Sequence, residues 1–277
     1  MVIAEPKFDL PHERTADPLI EAVDLSVTYN GETALDQVTF SVERGDQVAI
    51  IGPNGAGKST LIKAMLGLLR PSSGSVDVHV PRERIGYVAQ NEAVDWNFPV
   101  TVRDVVMMGC ARRIGWFKPP KREHQHIVDE ALERVGLTAV QGRQIGELSG
   151  GQRRRVFIAR ALAQDAELLI LDEPFSGVDS GAQADLMQVL ERLNRDGLTI
   201  LLSTHDLDLA FARFPKVMAL KRSLIAYGEP QRVLNADTLS QLYGQRLLTW
   251  QDGREVSLFV DDHHCTCLLY TSDAADE

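Results

Sequence analysis

The chain is poor in cysteine, with three in 277 residues, and poor in aromatics, at 6%. Cys110, Cys265 and Cys267 are too few for a disulfide framework, which excludes a small stapled secreted scaffold and fits a reducing compartment. Basic residues are in deficit too: 29 Lys and Arg stand against 39 Asp and Glu, a formal charge of −10. Proteins that work mainly on the phosphate backbone need a basic surface, so no nucleic-acid partner is expected. The short run Arg153-Arg154-Arg155 reads instead as local charge balance or interdomain contact. No apolar stretch approaches the roughly 20 residues that span a bilayer. The first 18 residues carry Glu5, Asp9, Glu13 and Asp17 where a signal peptide would have an apolar core. A cytosolic chain that meets a membrane only through a partner is therefore expected. What is present, 44% hydrophobic and 25% charged residues, is enough for a substantial core.

Patterning divides the chain. Leu19–Tyr29 and Thr33–Val42 alternate apolar and polar residues around Asn30-Gly31, a strong hairpin signal. Gln47–Ile51 is a short apolar run that reads as a buried strand, and Lys58–Leu69 has helical spacing. Short strands are predicted at Ser75–Val78 and Arg84–Val88. Helices are predicted at Val100–Gly109, Arg122–Val135 and Gly150–Ala163. Strand character returns at Glu167–Leu171 and Leu198–Ser203 around a helix at Gly181–Arg195, then at Val217–Lys221 and Leu224–Tyr227, with short helices to about Leu242. Strands alternating with helices imply an α/β fold, a mainly parallel sheet with helices on both faces. The helical block interrupts that sheet.

Two elements carry the chemistry. Gly52-Pro53-Asn54-Gly55-Ala56-Gly57-Lys58-Ser59-Thr60 matches the phosphate-binding loop in full, with a strand before it and a helix after it. Its glycines let consecutive N–H groups cradle phosphate oxygens at a helix start, Lys58 is suited to the β/γ-phosphates, and the Ser59 hydroxyl to Mg²⁺. Leu168–Leu171 then runs into Asp172-Glu173 at the strand end where open α/β sheets bind ligands. Asp172 is placed to help hold Mg²⁺, and Glu173 to orient or deprotonate an attacking water. His205 follows another apolar strand and is assigned to γ-phosphate sensing and transition-state stabilisation. Gln90 can touch Mg²⁺ or water and report to the helical block, although on chemistry alone an exposed loop glutamine fits equally well. Leu148-Ser149-Gly150-Gly151-Gln152 opens a helix with N–H groups suited to an anion.

Together these residues resemble the ATP-binding subunit of ABC transporters, from about Leu19 to Tyr243. The order of the P-loop, Gln90, Leu-Ser-Gly-Gly-Gln, Asp172-Glu173, Ser176-Gly177-Val178-Asp179 and His205 carries the resemblance. It implies a P-loop NTPase (RecA-like) core with an N-terminal antiparallel β subdomain and an inserted α-helical subdomain at about 91–163. It also implies ATP and Mg²⁺ as cofactors and a head-to-tail homodimer. In that dimer Ser149, Gly150, Gly151 and Gln152 of one copy close over ATP on the P-loop of the other, and Tyr29 stacks on adenine. Tyr87-Val88-Ala89-Gln90, followed by Val94-Asp95-Trp96-Asn97-Phe98-Pro99, is similar to the ATPases of bacterial manganese, zinc and iron importers, with Ala89 where a proline is common. Gly115-Trp116-Phe117 and Arg143-Gln144-Ile145-Gly146-Glu147 fit that group. That likeness implies a transmembrane permease and an extracytoplasmic metal-binding protein as partners, and a peripheral place on the cytoplasmic face of the membrane. Trp96 and Phe98 would suit a helix of the permease, or ordinary core packing. A metal-chelate importer and a soluble non-transport ABC ATPase are the alternatives.

The expected division is a flexible leader at 1–18, the ATPase domain at 19–246, an extension at 247–266, and a tail at 267–277. The tail resembles the translation of a transposase sequencing adapter, so the natural chain is expected to stop near Thr266. His263-His264-Cys265-Thr266-Cys267 is too compact for a closed tetrahedral zinc site.

Overall fold

In–out alternation, interrupted by bulges near Asp24 and Gln37, builds β1 (Ile20–Tyr29) and β2 (Glu32–Val42) as an antiparallel pair that buries Ile20, Ala22, Leu25, Leu35, Val38 and Phe40. The computed structural model describes residues 18–29, 31–90, 96, 98–115 and 118–244, and the backbone of 247–251, 255–259 and 270–271. The leader through 17, Asn30, most of the 91–97 stretch, Trp116-Phe117 and the His263–Cys267 cluster lie outside the described residues.

The chain continues through β3 (Gln47–Ile51), α1 (Lys58–Met65), β4 (Ser73–Val78) and β5 (Ile85–Val88), then α2 (Val102–Met107), α3 (Ala111–Ile114), α4 (Arg122–Arg134) and α5 (Gly150–Ala163). It returns through β6 (Leu168–Asp172), α6 (Ser180–Arg195), β7 (Thr199–Thr204), α7 (Leu207–Arg213), β8 (Lys216–Lys221), β9 (Ser223–Gly228), α8 (Pro230–Val233) and α9 (Ala236–Tyr243). Beyond them β10 (Leu247–Gln251), β11 (Glu255–Phe259) and β12 (Tyr270–Thr271) pair antiparallel with one another.

The main sheet has six strands in the order β5-β6-β7-β3-β8-β9, parallel except for β9. β3, β6 and β7 are buried along their whole length, as a parallel sheet covered on both faces requires. Their alternate residues feed two cores. Val48, Ile50, Ile170 and Leu201 face α1 and the small β2-β1-β4 sheet, whereas Ala49, Ile51, Leu171 and Leu202 face the remaining helices. One face is thus covered largely by a second sheet rather than by helices. The apolar residues of α2, α4 and α5 are continuous with the helical face of the main sheet.

Besides the added short helix α3, three helical segments depart from the sequence pattern. α1 stops at Met65 rather than Leu69, because Leu66 caps it and Gly67 turns left-handed at φ 64°. The predicted Val100–Gly109 helix is shorter. It starts after Thr101, whose hydroxyl accepts the Asp104 N–H while Asp104 reaches back to the Thr101 N–H, and it tightens into a 3-10 turn at Met108–Cys110. There Gly109 lies so close to α5 that a Cβ would sit 2.3 Å from the Arg160 carbonyl oxygen. The helix α7 has no counterpart in the sequence reading; Asp206 caps it by accepting from the Leu209 N–H.

Candidate functional site

β3 delivers the chain into the phosphate loop, and two of its glycines are sterically compulsory. At Gly52 (φ 155°) a Cβ would lie 2.1 Å from the Leu220 carbonyl oxygen, and at Gly57 (φ 99°) 2.7 Å from the Ala34 carbonyl oxygen and the Leu35 side chain. Gly57 caps α1 without a side chain, so the first-turn N–H groups are left for an incoming anion. Asn54, Gly55 and Ser59 are exposed, Pro53 and Thr60 half-buried, and Ala56 buried. Lys58 is the unusual member, a lysine only 6% exposed whose ammonium donates to the carbonyls of Gly52 (2.6 Å) and Pro53 (3.2 Å).

Facing the loop, β6 and β7 end side by side with Asp172 and Ser203 in register. Ser203 is fully buried; its hydroxyl donates to Asp172 Oδ1 at 2.6 Å and accepts the Glu173 N–H at 2.9 Å. Glu173 turns left-handed (φ 46°), a conformation that costs a non-glycine residue about 1–3 kcal/mol and persists where the surroundings enforce it. Its carboxylate accepts the Gln90 amide at 2.9 Å, with the Lys58 ammonium at 3.8 Å and the His205 ring at 3.7 Å. Lys58, Gln90 and His205 therefore meet at the Glu173 carboxylate, and Asp172 is joined to Glu173 through Ser203. Ser203 is the member that sequence reasoning passed over. Its signal was a hydroxyl directly after the apolar run Ile200–Leu202 of a wholly buried strand. Burial, and second the Asp172 carboxylate, push the nearby Tyr87 phenol above its ordinary pKa. Burial, and then Asp206, do the same for the Asp208 carboxyl.

The Leu148–Gln152 segment is a second, separate feature. Ser149 caps α5, its hydroxyl accepting the Gln152 N–H at 3.3 Å while the Gln152 side chain accepts the Ser149 N–H at 3.1 Å. Gly150 is open, with no atom within 4 Å of where its Cβ would be, whereas a Cβ on Gly151 would press on Ala182 of α6 at 2.8 Å. The arginines after it are structural anchors. Arg153 lies over the Trp96 ring at 4.3 Å and donates to the Gly146 carbonyl at 2.8 Å, and Arg154 donates to the Ser176 carbonyl at 2.7 Å. Trp96 also meets Phe157 edge-on at 6.3 Å, whereas Phe98 is 58% exposed. Trp96 and Phe157 help line a cavity of about 130 Å³ together with Ala89, Gln90, Gly150, Arg153 and Arg154. Tyr29 is exposed at the end of β1, opposite Glu32. Cys110 is fully buried, as its small apolar character suggests. Among the described residues, no helix is long and apolar enough to cross a membrane.

A sequence profile of the ABC transporter family matches residues 35–176. The chain is 44% identical to the manganese transport system ATP-binding protein MntB of Halalkalibacterium halodurans, over 87% of its own length and 98% of that protein. It is 42% identical to the zinc transport system ATP-binding protein TroB of Treponema pallidum, over 82% of its own length and 88% of that protein. Its fold superposes on CbiO1 of Clostridium perfringens, part of the ABC transporter complex CbiONQ, with a TM-score of 0.71 at 32% identity, covering 83% of this chain and 96% of that one. With the phosphate loop, the paired acids and the capped Leu-Ser-Gly-Gly-Gln helix in one fold, the chain belongs to the ABC transporter family as an ATP-binding, ATP-hydrolysing subunit.

Proposed function

We propose that the chain powers import of a transition metal (manganese, zinc or iron) through a separate membrane permease, fed by an extracytoplasmic metal-binding protein. The observation that carries this assignment is its 44% identity across 98% of a manganese transport ATP-binding protein. The metal itself need never touch this subunit. Docking on the permease would keep it at the cytoplasmic face, with the exposed Phe98 as a contact point.

Phosphates of ATP would lie on the N–H groups opening α1, with Lys58 turning from its own loop carbonyls to the β/γ-phosphates, and the adenine on Tyr29. The donor set of Ser59 hydroxyl, Asp172 carboxylate and Gln90 amide oxygen is all-oxygen, the chemistry that suits Mg²⁺. Bound there, the ion would neutralise charge on the phosphates. Glu173 would orient the attacking water, and His205 would steady the γ-phosphate as charge develops. Ser149, Gly150 and Gly151 of a second copy would complete each site, so two chains form two composite sites.

Glu173→Gln tests the core of this proposal. It is expected to abolish hydrolysis while the protein still binds ATP and accumulates as an ATP-bound dimer in size-exclusion chromatography; full turnover in that variant refutes the assignment. Reconstitution with a candidate permease of a metal importer tests the cargo: ATP-dependent uptake of radiolabelled manganese, zinc or iron is expected, and uptake of none of the three removes the metal assignment.

A further inference from the structure

We infer that Ser203 is a positioning residue that sets both acids of the hydrolytic site from a single hydroxyl, an inference that rests on the roles proposed above for Asp172 and Glu173. A serine hydroxyl has one proton and two lone pairs. The Glu173 N–H can only donate, and it points at Ser203 Oγ at 2.9 Å. The serine proton therefore goes to Asp172 Oδ1, 2.6 Å away. That direction ties down one carboxylate oxygen of Asp172 and leaves the other for the cation. The same oxygen anchors the backbone of Glu173 where it turns left-handed, just past the last register pair of β6 and β7. Full burial of Ser203 keeps water from replacing either bond. The side chain is thus a strut with two ends, one on the proposed metal-holding acid and one on the proposed base.

The test uses the purified full-length chain. Ser203→Ala is expected to bind a fluorescent ATP analogue in EDTA as the wild type does, because the phosphate loop is untouched. Its kcat should fall about tenfold or more, as loss of a hydrogen bond to a charged group implies. The Mg²⁺ concentration for half-maximal hydrolysis should rise several-fold, with KM for ATP at saturating Mg²⁺ changing less than kcat. Wild-type kcat together with a wild-type Mg²⁺ requirement would overturn the inference. If Ser203→Ala loses ATP binding in EDTA, the pair Ser203→Thr and Ser203→Val decides, because the two side chains match in shape and differ in the hydroxyl. Higher kcat and lower Mg²⁺ requirement in the threonine variant support the strut, and equal behaviour overturns it. Failure of the underlying assignment reads differently: the wild type would not hydrolyse ATP, or Glu173→Gln would remain active, whatever Ser203 does.

Discussion

The two glycine-rich helix starts of this molecule, at α1 and α5, are built in opposite ways. At α1 the cap is a glycine with no side chain, the loop is packed so tightly that a Cβ on Gly52 or Gly57 collides with backbone, and a buried lysine stands ready. At α5 the cap is filled by the Ser149–Gln152 pair, Gly150 is open to solvent, and the nearest cations are committed to Trp96, Gly146 and Ser176. The first start has no side-chain cap and lies beside Lys58, Gln90 and Glu173. The second is capped by its own side chains. A site that is satisfied in isolation but offers a bare glycine face is what a surface presented to a second molecule needs.

The comparison breaks most sharply at Glu173. Glu173→Gln should lower turnover about 100-fold or more, the lower range for a positioned acid–base group, measured as phosphate release. Next come the glycines. Gly57→Ala should cost about 1–3 kcal/mol of stability through its positive φ and the clash with Ala34, and should remove ATP binding; thermal melts and nucleotide titration report both. Gly150→Ala should leave the melting temperature unchanged or slightly raised, since alanine favours a helix by roughly 0.5–1 kcal/mol over glycine. It should nevertheless cut hydrolysis, and full activity in that variant would erase the distinction between the two starts. Ser149→Ala should cost about 1 kcal/mol as a lost cap, a shift of roughly 2–4 °C, with ATP binding by the monomer unaltered.

The smallest effect serves as a control away from both starts. Glu167 lies just before β6, and hydrogen bonds first from Arg84 and then from Arg44 hold its carboxyl below the usual range. Because the folded-state value is depressed, its contribution is present above the unfolded carboxylate value and is lost as pH falls through the folded one. Glu167→Gln should therefore lower stability at neutral pH by at most about 1 kcal/mol, a deficit that fades in acid, with hydrolysis unchanged.

Much of this was legible in the sequence because motif and element coincide. β3 and α5 fall where the pattern places them, since a wholly apolar run and a serine before a helical period leave little choice. Gln90 was ambiguous as a residue type, and only the fold brings it to 2.9 Å from Glu173. Ser203 was illegible for a different reason: its importance comes from the strand beside it, and register is a non-local quantity. The 3-10 turn at Met108 and the early end of α1 depend on close approach and on a glycine's handedness, neither of which periodicity records. α7 is only seven residues long, too short for a helical period to stand out, and its cap, Asp206, directly follows His205.

The bond from Arg154 to the Ser176 carbonyl has a consequence for timing. It links the head of α5 to the turn that follows the two acids, within one chain and over a single guanidinium. If two copies face each other head to tail, the α5 start of each chain reports on its partner's nucleotide while the Ser176 turn lies next to its own. Release of phosphate in one site would then reach the other through one rigid lever, so the two halves would keep a common cycle instead of firing independently.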